Sequence, residues 1–171
     1  MTRSVFSPRP VPPIVSAARV SAFAAEIFGE VLHQKRLASL ANATVGVLQA
    51  ASLAVSAIGQ GLALREGLNT KHAIKQVDRL FSNRALDVHE LFASWVPFVL
   101  AERLEIVVAL DWTDFDKDDQ STLVLSLCTS HGRSTPLLWK TVQKSQLQKR
   151  RNEYEDALLH RLREVMVAEI S

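Results

Sequence analysis

One carboxylate follows an apolar run that has the composition of a β-strand. Ile106 to Leu110 is uninterrupted and rich in β-branched residues, a pattern typical of a central strand covered on both faces. Asp111 comes next, where such a strand would leave the core. A carboxylate held there on a rigid element can reach a cation, so Asp111 is a candidate metal ligand. The alternative is an acidic turn that closes a hairpin, because Asp is common in turns.

A second stretch has the periodicity of a short amphipathic helix. Asn69 or Thr70 can cap its start, since both side chains can accept a hydrogen bond from a free backbone N–H. Ile74, Val77 and Phe81 are spaced so that they share one apolar face. The spacing therefore predicts a helix that begins near residue 70 and ends near residue 81.

Cations recur on the other side of that predicted helix. Lys71, Lys75 and Arg79 are four residues apart, so they stack on one exposed side, with His72 and Gln76 beside them. Such a row of donors can follow a phosphate backbone or enter a groove of a duplex. The alternative is an ordinary solvated helix face, which is what most charge runs are.

Composition and charge are compatible with this chemistry. The chain has 171 residues, of which 47% are apolar and 22% charged, as in globular proteins. Residues 1–104 hold eleven Lys and Arg against seven Asp and Glu, whereas residues 105–171 hold nine against eleven. A basic front half beside an acidic middle fits a nucleic-acid-binding module next to a metal site.

Cysteine content and the longest uncharged segment exclude some classes. Cys128 is the single cysteine and lies in an apolar run, which predicts a reduced core residue in a cytosolic protein. One Cys and five scattered His do not have the spacing of zinc ligands. The twenty residues from Val45 to Leu64 carry no charge and are long enough to span a bilayer. They are rich in Ala, Ser, Gly and Gln and lack an aromatic belt, so we predict one buried helix instead.

The elements around these residues suggest an α+β chain. Residues 1–13 form a proline-rich lead that we expect to be disordered, and residues 14–104 have helical periodicity throughout. After Asp111, Thr122 to Leu127 and Thr135 to Val142 have the composition of two further strands, which would complete an antiparallel meander. A helix is predicted beyond Lys144, and its core side is expected to consist of Leu147, Tyr154, Leu158, Leu162, Val165 and Ile170.

Three stretches resemble the bacterial insertion-sequence transposases of the DDE type, in the IS-four family. They are residues 70–83 (TKHAIKQVDRLFSN), residues 108–113 (VALDWT) and residues 130–139 (SHGRSTPLLW). The resemblance extends from about Leu40 to the end of the chain. It implies a helical DNA-binding domain over 14–104, followed over 105–171 by the first three antiparallel strands and a helix of an incomplete RNase H-like core.

The resemblance also implies a function. Family members bind the terminal inverted repeats of their own mobile element and cut and join DNA with two divalent cations held by Asp, Asp and Glu. Asp111 matches the first of these carboxylates, so it is the expected catalytic and metal-binding residue. Lys71, His72, Lys75, Gln76 and Arg79 are the expected DNA-binding residues. Mg²⁺ or Mn²⁺ is the cofactor expected for the complete protein. The protein is expected to form a homodimer in the cytoplasm, to associate with the nucleoid and to have no membrane partner.

The family's second Asp and its tyrosine–arginine–glutamate–lysine motif have no match in this sequence. We therefore expect an N-terminal fragment that is inactive alone and does not hold the metal stably, because one carboxylate cannot support a two-metal site. One alternative is a non-catalytic DNA-binding remnant or inhibitor of transposition. Another, of a different class, is a helical protein–protein interaction module that uses the apolar segment around Val45 to Leu64 and the helix after Leu147.

Overall fold

The computed structural model describes residues 15–130 and 132–168. Over these residues the chain has six α-helices and one three-stranded antiparallel sheet, which confirms the predicted α+β class. Contacts divide the chain into a first unit that ends at Asp87 and a second that begins at Val88. The predicted proline-rich lead and the predicted core residue Ile170 lie outside the described residues, as does His131 of the predicted turn between the second and third strands.

The first unit contains four helices, and the sequence explains their ends. They are α1 (Ala17–Phe28), α2 (Gln34–Ala50), α3 (Val55–Glu66) and α4 (Thr70–Phe81). The Ser16 hydroxyl accepts from the backbone N–H of Arg19 and caps α1. Asn69 caps α4, as predicted, because its Oδ1 accepts a 3.2 Å hydrogen bond from the backbone N–H of His72.

The prediction of one buried helix over Val45 to Leu64 was wrong. α2 ends at Ala50, Ala51 takes a left-handed conformation with φ of 49°, and α3 begins at Val55. α2 and α3 satisfy the length and composition expected of a membrane span only when taken together, and they are bent by 93°. No single helix in the described ranges is long and apolar enough to cross a membrane.

Glycines explain why this uncharged segment folds as two packed helices. A Cβ on Gly46 would lie 2.4 Å from the carbonyl oxygen of Ile58, and a Cβ on Gly59 would lie 2.4 Å from the Cα of Ile74. Only residues without a side chain allow backbones to approach so closely. α3 therefore packs directly on α2 through Gly46 and on α4 through Gly59.

Close packing on α3 also changes which side of α4 is buried. The predicted apolar face was Ile74, Val77 and Phe81, but Phe81 is 60% exposed and Ile74 is only partly buried. Ala73, Val77 and Leu80 are the residues that enter the core of the first unit. The stripe is displaced because the backbone of Ile74 itself lies against Gly59.

The second unit consists of α5 (Val88–Leu100), β1 (Val108–Phe115), β2 (Gln120–Cys128), β3 (Ser134–Gln143) and α6 (Arg151–Ala168). The strands pair in the order β1-β2-β3, which confirms the predicted meander. Its core combines buried residues of two helices with those of the sheet. They are Phe92, Val96, Leu100, Leu123, Leu125, Leu127, Leu137, Leu138, Leu158, Leu162 and Val165.

α5 belongs to this second unit, although the sequence placed it in the helical domain that was predicted to end at residue 104. Trp95 Nε1 donates to the Pro136 carbonyl oxygen at 2.8 Å, and the Phe92 ring meets the Trp139 ring edge to face with centroids 4.7 Å apart. Helical periodicity alone cannot show which core an apolar stripe will join, and here the stripe of α5 joins the sheet.

Candidate functional site

The predicted DNA-binding residues lie on α4, and most of them are exposed. The side chains of Lys71, His72, Lys75 and Arg79 are open to solvent, and Gln76 is half-buried. In the described part of the chain, Lys71, Lys75 and Arg79 have neither an ion pair nor a side-chain hydrogen bond to the protein. Cations that are not neutralised by the protein remain available to an anionic ligand.

A groove of about 520 Å³ runs between α4 and the first turns of α2, and we call it the basic groove. α4 brings His72, Lys75, Gln76 and Arg79 to it, and α2 brings Lys35, Arg36 and Ser39. Leu80 and Asn83 complete the lining, so no carboxylate is among the residues that line the groove. The arrangement is a concave surface with four cations and several neutral hydrogen-bonding groups, which suits a polyanion such as a phosphate backbone.

Lys71 lies apart from this groove. It lines a neighbouring hollow together with Val55, Ile74 and Asp78. Lys75 is shared by both surfaces. The three cations predicted from i, i+4 spacing are thus all on α4, but only Lys75 and Arg79 line the groove.

Sequence reasoning missed the contribution of α2. Lys35 and Arg36 stand at its start, and Arg36 Nη1 donates to the Ala85 carbonyl oxygen at 3.1 Å, which fixes the direction of its guanidinium. Lys35 has no partner side chain within residues 15–130 and 132–168. The only signal in the sequence was the adjacent pair of cations at the start of a helix, about forty residues before Lys75.

Asp111 does not stand at the end of a central strand. It is the fourth residue of β1, pairs across the sheet with Val124 and has an exposed side chain. β1 is an edge strand of the described sheet, and the residues between its half-buried ones are exposed, so the prediction of a central strand covered on both faces was wrong. The strand continues to Phe115 because exposed residues alternate with the half-buried Leu110 and Trp112. This alternation is compatible with a sheet that is open to solvent on one face.

The environment of Asp111 does not fit a divalent cation. Mg²⁺ needs several oxygen ligands, and a two-metal site needs carboxylates from separate elements. Among the residues whose placement is described, no group of three or more His, Cys, Asp and Glu side chains could share a metal ion. Asp111 is thus a single exposed carboxylate on an open sheet face.

Two other acidic residues of the β1–β2 hairpin, Asp114 and Asp116, are engaged in ion pairs. Asp114 accepts from the Ser121 hydroxyl at 2.6 Å and pairs with Lys144 at 3.0 Å and Arg151 at 3.4 Å. The hydrogen bond from Ser121 and then that from Lys144 lower the pKa of Asp114. Lys144 also pairs with Asp116. These contacts fasten the hairpin to Lys144, which follows β3, and to Arg151, the first residue of α6, so Asp114 and Asp116 have a structural role.

Cys128 is exposed at the end of β2, so the prediction of a core cysteine was wrong. The apolar run of β2 ends one residue earlier, at Leu127, which is buried. The period-two alternation of a strand explains the difference, since adjacent residues point to opposite faces.

Comparison with protein-family models, with curated proteins and with solved structures gives no match to this chain.

Proposed function

We propose that the chain is a DNA-binding protein of DDE-transposase ancestry, and that the basic groove holds the phosphate backbone of duplex DNA. The observation that carries the proposal is the convergence of Lys35, Arg36, Lys75 and Arg79 on one concave surface whose lining includes no carboxylate. The resemblance of residues 70–83, 108–113 and 130–139 to insertion-sequence transposases supports DNA as the polyanion and a mobile element's terminal repeats as its specific target.

Roles within the groove follow from side-chain chemistry. Lys35, Lys75 and Arg79 are exposed and flexible cations that fit phosphate oxygens, and contacts of this kind supply affinity without reading sequence. Gln76 and Asn83 carry amides that can donate and accept, so they are the groove's candidates for contacting base edges. Lys71 would contribute at the periphery, because it lies in the neighbouring hollow.

The proposal does not include cutting or joining of strands by this chain. An RNase H-like origin of the sheet is supported by the strand order and by the resemblance around Asp111. Catalysis in that fold needs carboxylates from several elements around two cations, and Asp111 has no such neighbours in the part of the chain that is described. The function we propose is therefore binding that is independent of Mg²⁺.

Fluorescence anisotropy with a labelled duplex of mixed sequence tests the proposal. Lys35→Ala and Arg79→Ala should each weaken binding by roughly threefold to tenfold at low salt, because each removes one phosphate contact. Arg163→Ala is the matched control, since Arg163 is an exposed cation on α6, far along the chain from the groove residues, and should bind as the unmodified protein does. Equal affinity of all three variants would reassign the groove to an ordinary solvated surface.

A further inference from the structure

The second unit contains a separate pocket of about 470 Å³ between α5, β3 and α6, which we call the aromatic pocket. The residues that line it combine rings with cations and neutral polar groups. They are Val88, His89, Phe92, Trp139, Lys140, Thr141, Tyr154, Ala157, Leu158, His160, Arg161 and Glu164. Of the stretches quoted for the resemblance to transposases, only residues 130–139 reach this pocket, through Trp139, and the basic groove shares none of its residues.

Aromatic rings give the pocket a surface for a planar ligand. Trp139 is 45% exposed even though its ring meets Phe92 edge to face at 4.7 Å. Tyr154 is half-buried, and Lys140 Nζ lies 5.4 Å from the centroid of its ring. An indole left this exposed beside a cavity can stack against a flat aromatic group.

Charge in the pocket favours an anion. Lys140 and Arg161 are its two permanent cations, and Glu164 is the one carboxylate among the residues that line it. Arg161 hydrogen bonds to Glu164 and is the main cause that lowers the pKa of that carboxyl. Glu164 Oε1 also lies 3.3 Å from His160 Nε2, so this one carboxylate is shared by Arg161 and His160. Lys140 has no ion-pair partner in the described ranges.

Two hydrogen bonds fix the position of the Arg161 guanidinium. Its Nη1 donates to Glu164 Oε2 at 2.9 Å and its Nη2 donates to the His89 carbonyl oxygen at 3.3 Å, whereas its Nε is buried and has no hydrogen-bond partner among the described residues. A buried donor without a partner is unfavourable. The guanidinium is thus held in place at the pocket wall by its two contacts.

We propose that the aromatic pocket binds one unpaired nucleotide of a DNA strand, with the base against Trp139 and the phosphate near Lys140 and Arg161. A nucleotide has the planar ring, the negative charge and the size that these side chains select, and base stacking on aromatic residues beside cations is how proteins hold single strands. The inference rests on the proposed function for its choice of DNA, but it uses a different surface and a different form of DNA.

The test compares two labelled probes, a short single-stranded oligothymidylate and a duplex of mixed sequence, by fluorescence anisotropy. Trp139→Ala should weaken binding of the oligothymidylate by roughly tenfold, the usual effect of removing one stacking ring, and leave duplex binding unchanged. Trp139→Phe keeps a ring and should retain affinity within about threefold. Lys140→Ala should also weaken single-strand binding, whereas Arg163→Ala should not.

Each outcome supports or overturns the inference. The inference would be overturned if Trp139→Ala and Lys140→Ala did not change the affinity for the oligothymidylate. It would also be overturned if that affinity were lost only when Lys75 and Arg79 are replaced. In both cases the proposed binding of duplex DNA would still stand. Duplex affinity that is insensitive to replacement of Lys75 and Arg79 would instead remove the proposed function. If Trp139→Ala does not fold, as judged by circular dichroism, the exposed position of Lys140 allows Lys140→Glu to decide the question in its place.

Discussion

The hydroxyl of Ser121 donates a 2.6 Å hydrogen bond to Asp114 across the paired strands β1 and β2. Ser121 is fully buried, and Asp114 is its partner in the strand register. Lys144 and Arg151 approach the same carboxylate at 3.0 and 3.4 Å. The Asp114 carboxylate therefore connects a buried hydroxyl of the sheet to Lys144, which follows β3, and to Arg151, the first residue of α6.

This arrangement predicts how stability depends on pH. The pKa of Asp114 in the folded chain is lowered, chiefly by Ser121 and then by Lys144, so the ionised form favours folding. Its contribution is present above the ordinary pKa of 3.8 and is lost as the pH falls below that value through the lowered pKa. Asp114→Asn should reduce the fall in urea midpoint between neutral and acid pH, and Ser121→Ala should reduce it in part. An unchanged pH dependence in both variants would contradict this role.

The glycine contact between α3 and α4 predicts a packing defect. Gly59→Ala would bring a Cβ to 2.4 Å from the Ile74 backbone, so the helices must separate. We expect a loss of about 1–3 kcal/mol in the free energy of unfolding, as for other overpacked cores. The control is Gln60→Ala, because Gln60 is the next residue and is exposed. Urea unfolding in which Gly59→Ala matches that control would show that α3 and α4 are not so close.

The hydrogen bond of the Trp112 indole predicts that two variants of its partner, Glu155, differ in stability. Trp112 Nε1 donates to Glu155 Oε1 at 2.7 Å and so joins β1 to α6. Glu155→Ala leaves the half-buried N–H without an acceptor and should cost about 1–2 kcal/mol. Glu155→Gln keeps a carbonyl oxygen at that position and should cost much less. Equal unfolding midpoints for the Ala and Gln variants would mean that the hydrogen bond adds nothing to stability.

Local chemistry in the sequence predicted much of this fold. The Asn69 cap gave the start of α4, and the alternation in Thr122 to Leu127 and Thr135 to Val142 gave two of the three strands of the meander. These features depend on residues adjacent in the chain, so periodicity and capping rules reach them.

Tertiary packing decided the rest. The break at Ala51 follows from the close approach of α2 and α3 at Gly46, which no local pattern reveals. Asp111 was placed at a strand end because Ile106 and Val107 extended the apolar run, yet both precede β1 and the strand continues past Asp111. Lys35 and Arg36 come close to Lys75 only through the packing of helices, so two of the four cations of the basic groove could not be found from helical spacing.

Asp111 provides a test of the metal prediction. Because Asp111 belongs to no group of three or more potential ligands in residues 15–130 and 132–168, titration with MgCl₂ or MnCl₂ followed by calorimetry should show no saturable binding. Asp111→Asn should leave duplex affinity unchanged within about twofold, since the carboxylate is not part of the basic groove. Saturable binding that Asp111→Asn abolishes would show that this carboxylate is a metal ligand after all.

The salt dependence of duplex binding tests the central proposal most directly. The logarithm of the association constant should fall linearly with the logarithm of salt concentration, with a slope of about 0.9 for each phosphate neutralised. Replacing Lys35, Lys75 and Arg79 together by Ala should reduce that slope by about two to three, while Arg163→Ala should leave it unchanged. An unchanged slope in the triple variant would contradict the assignment of the basic groove to DNA.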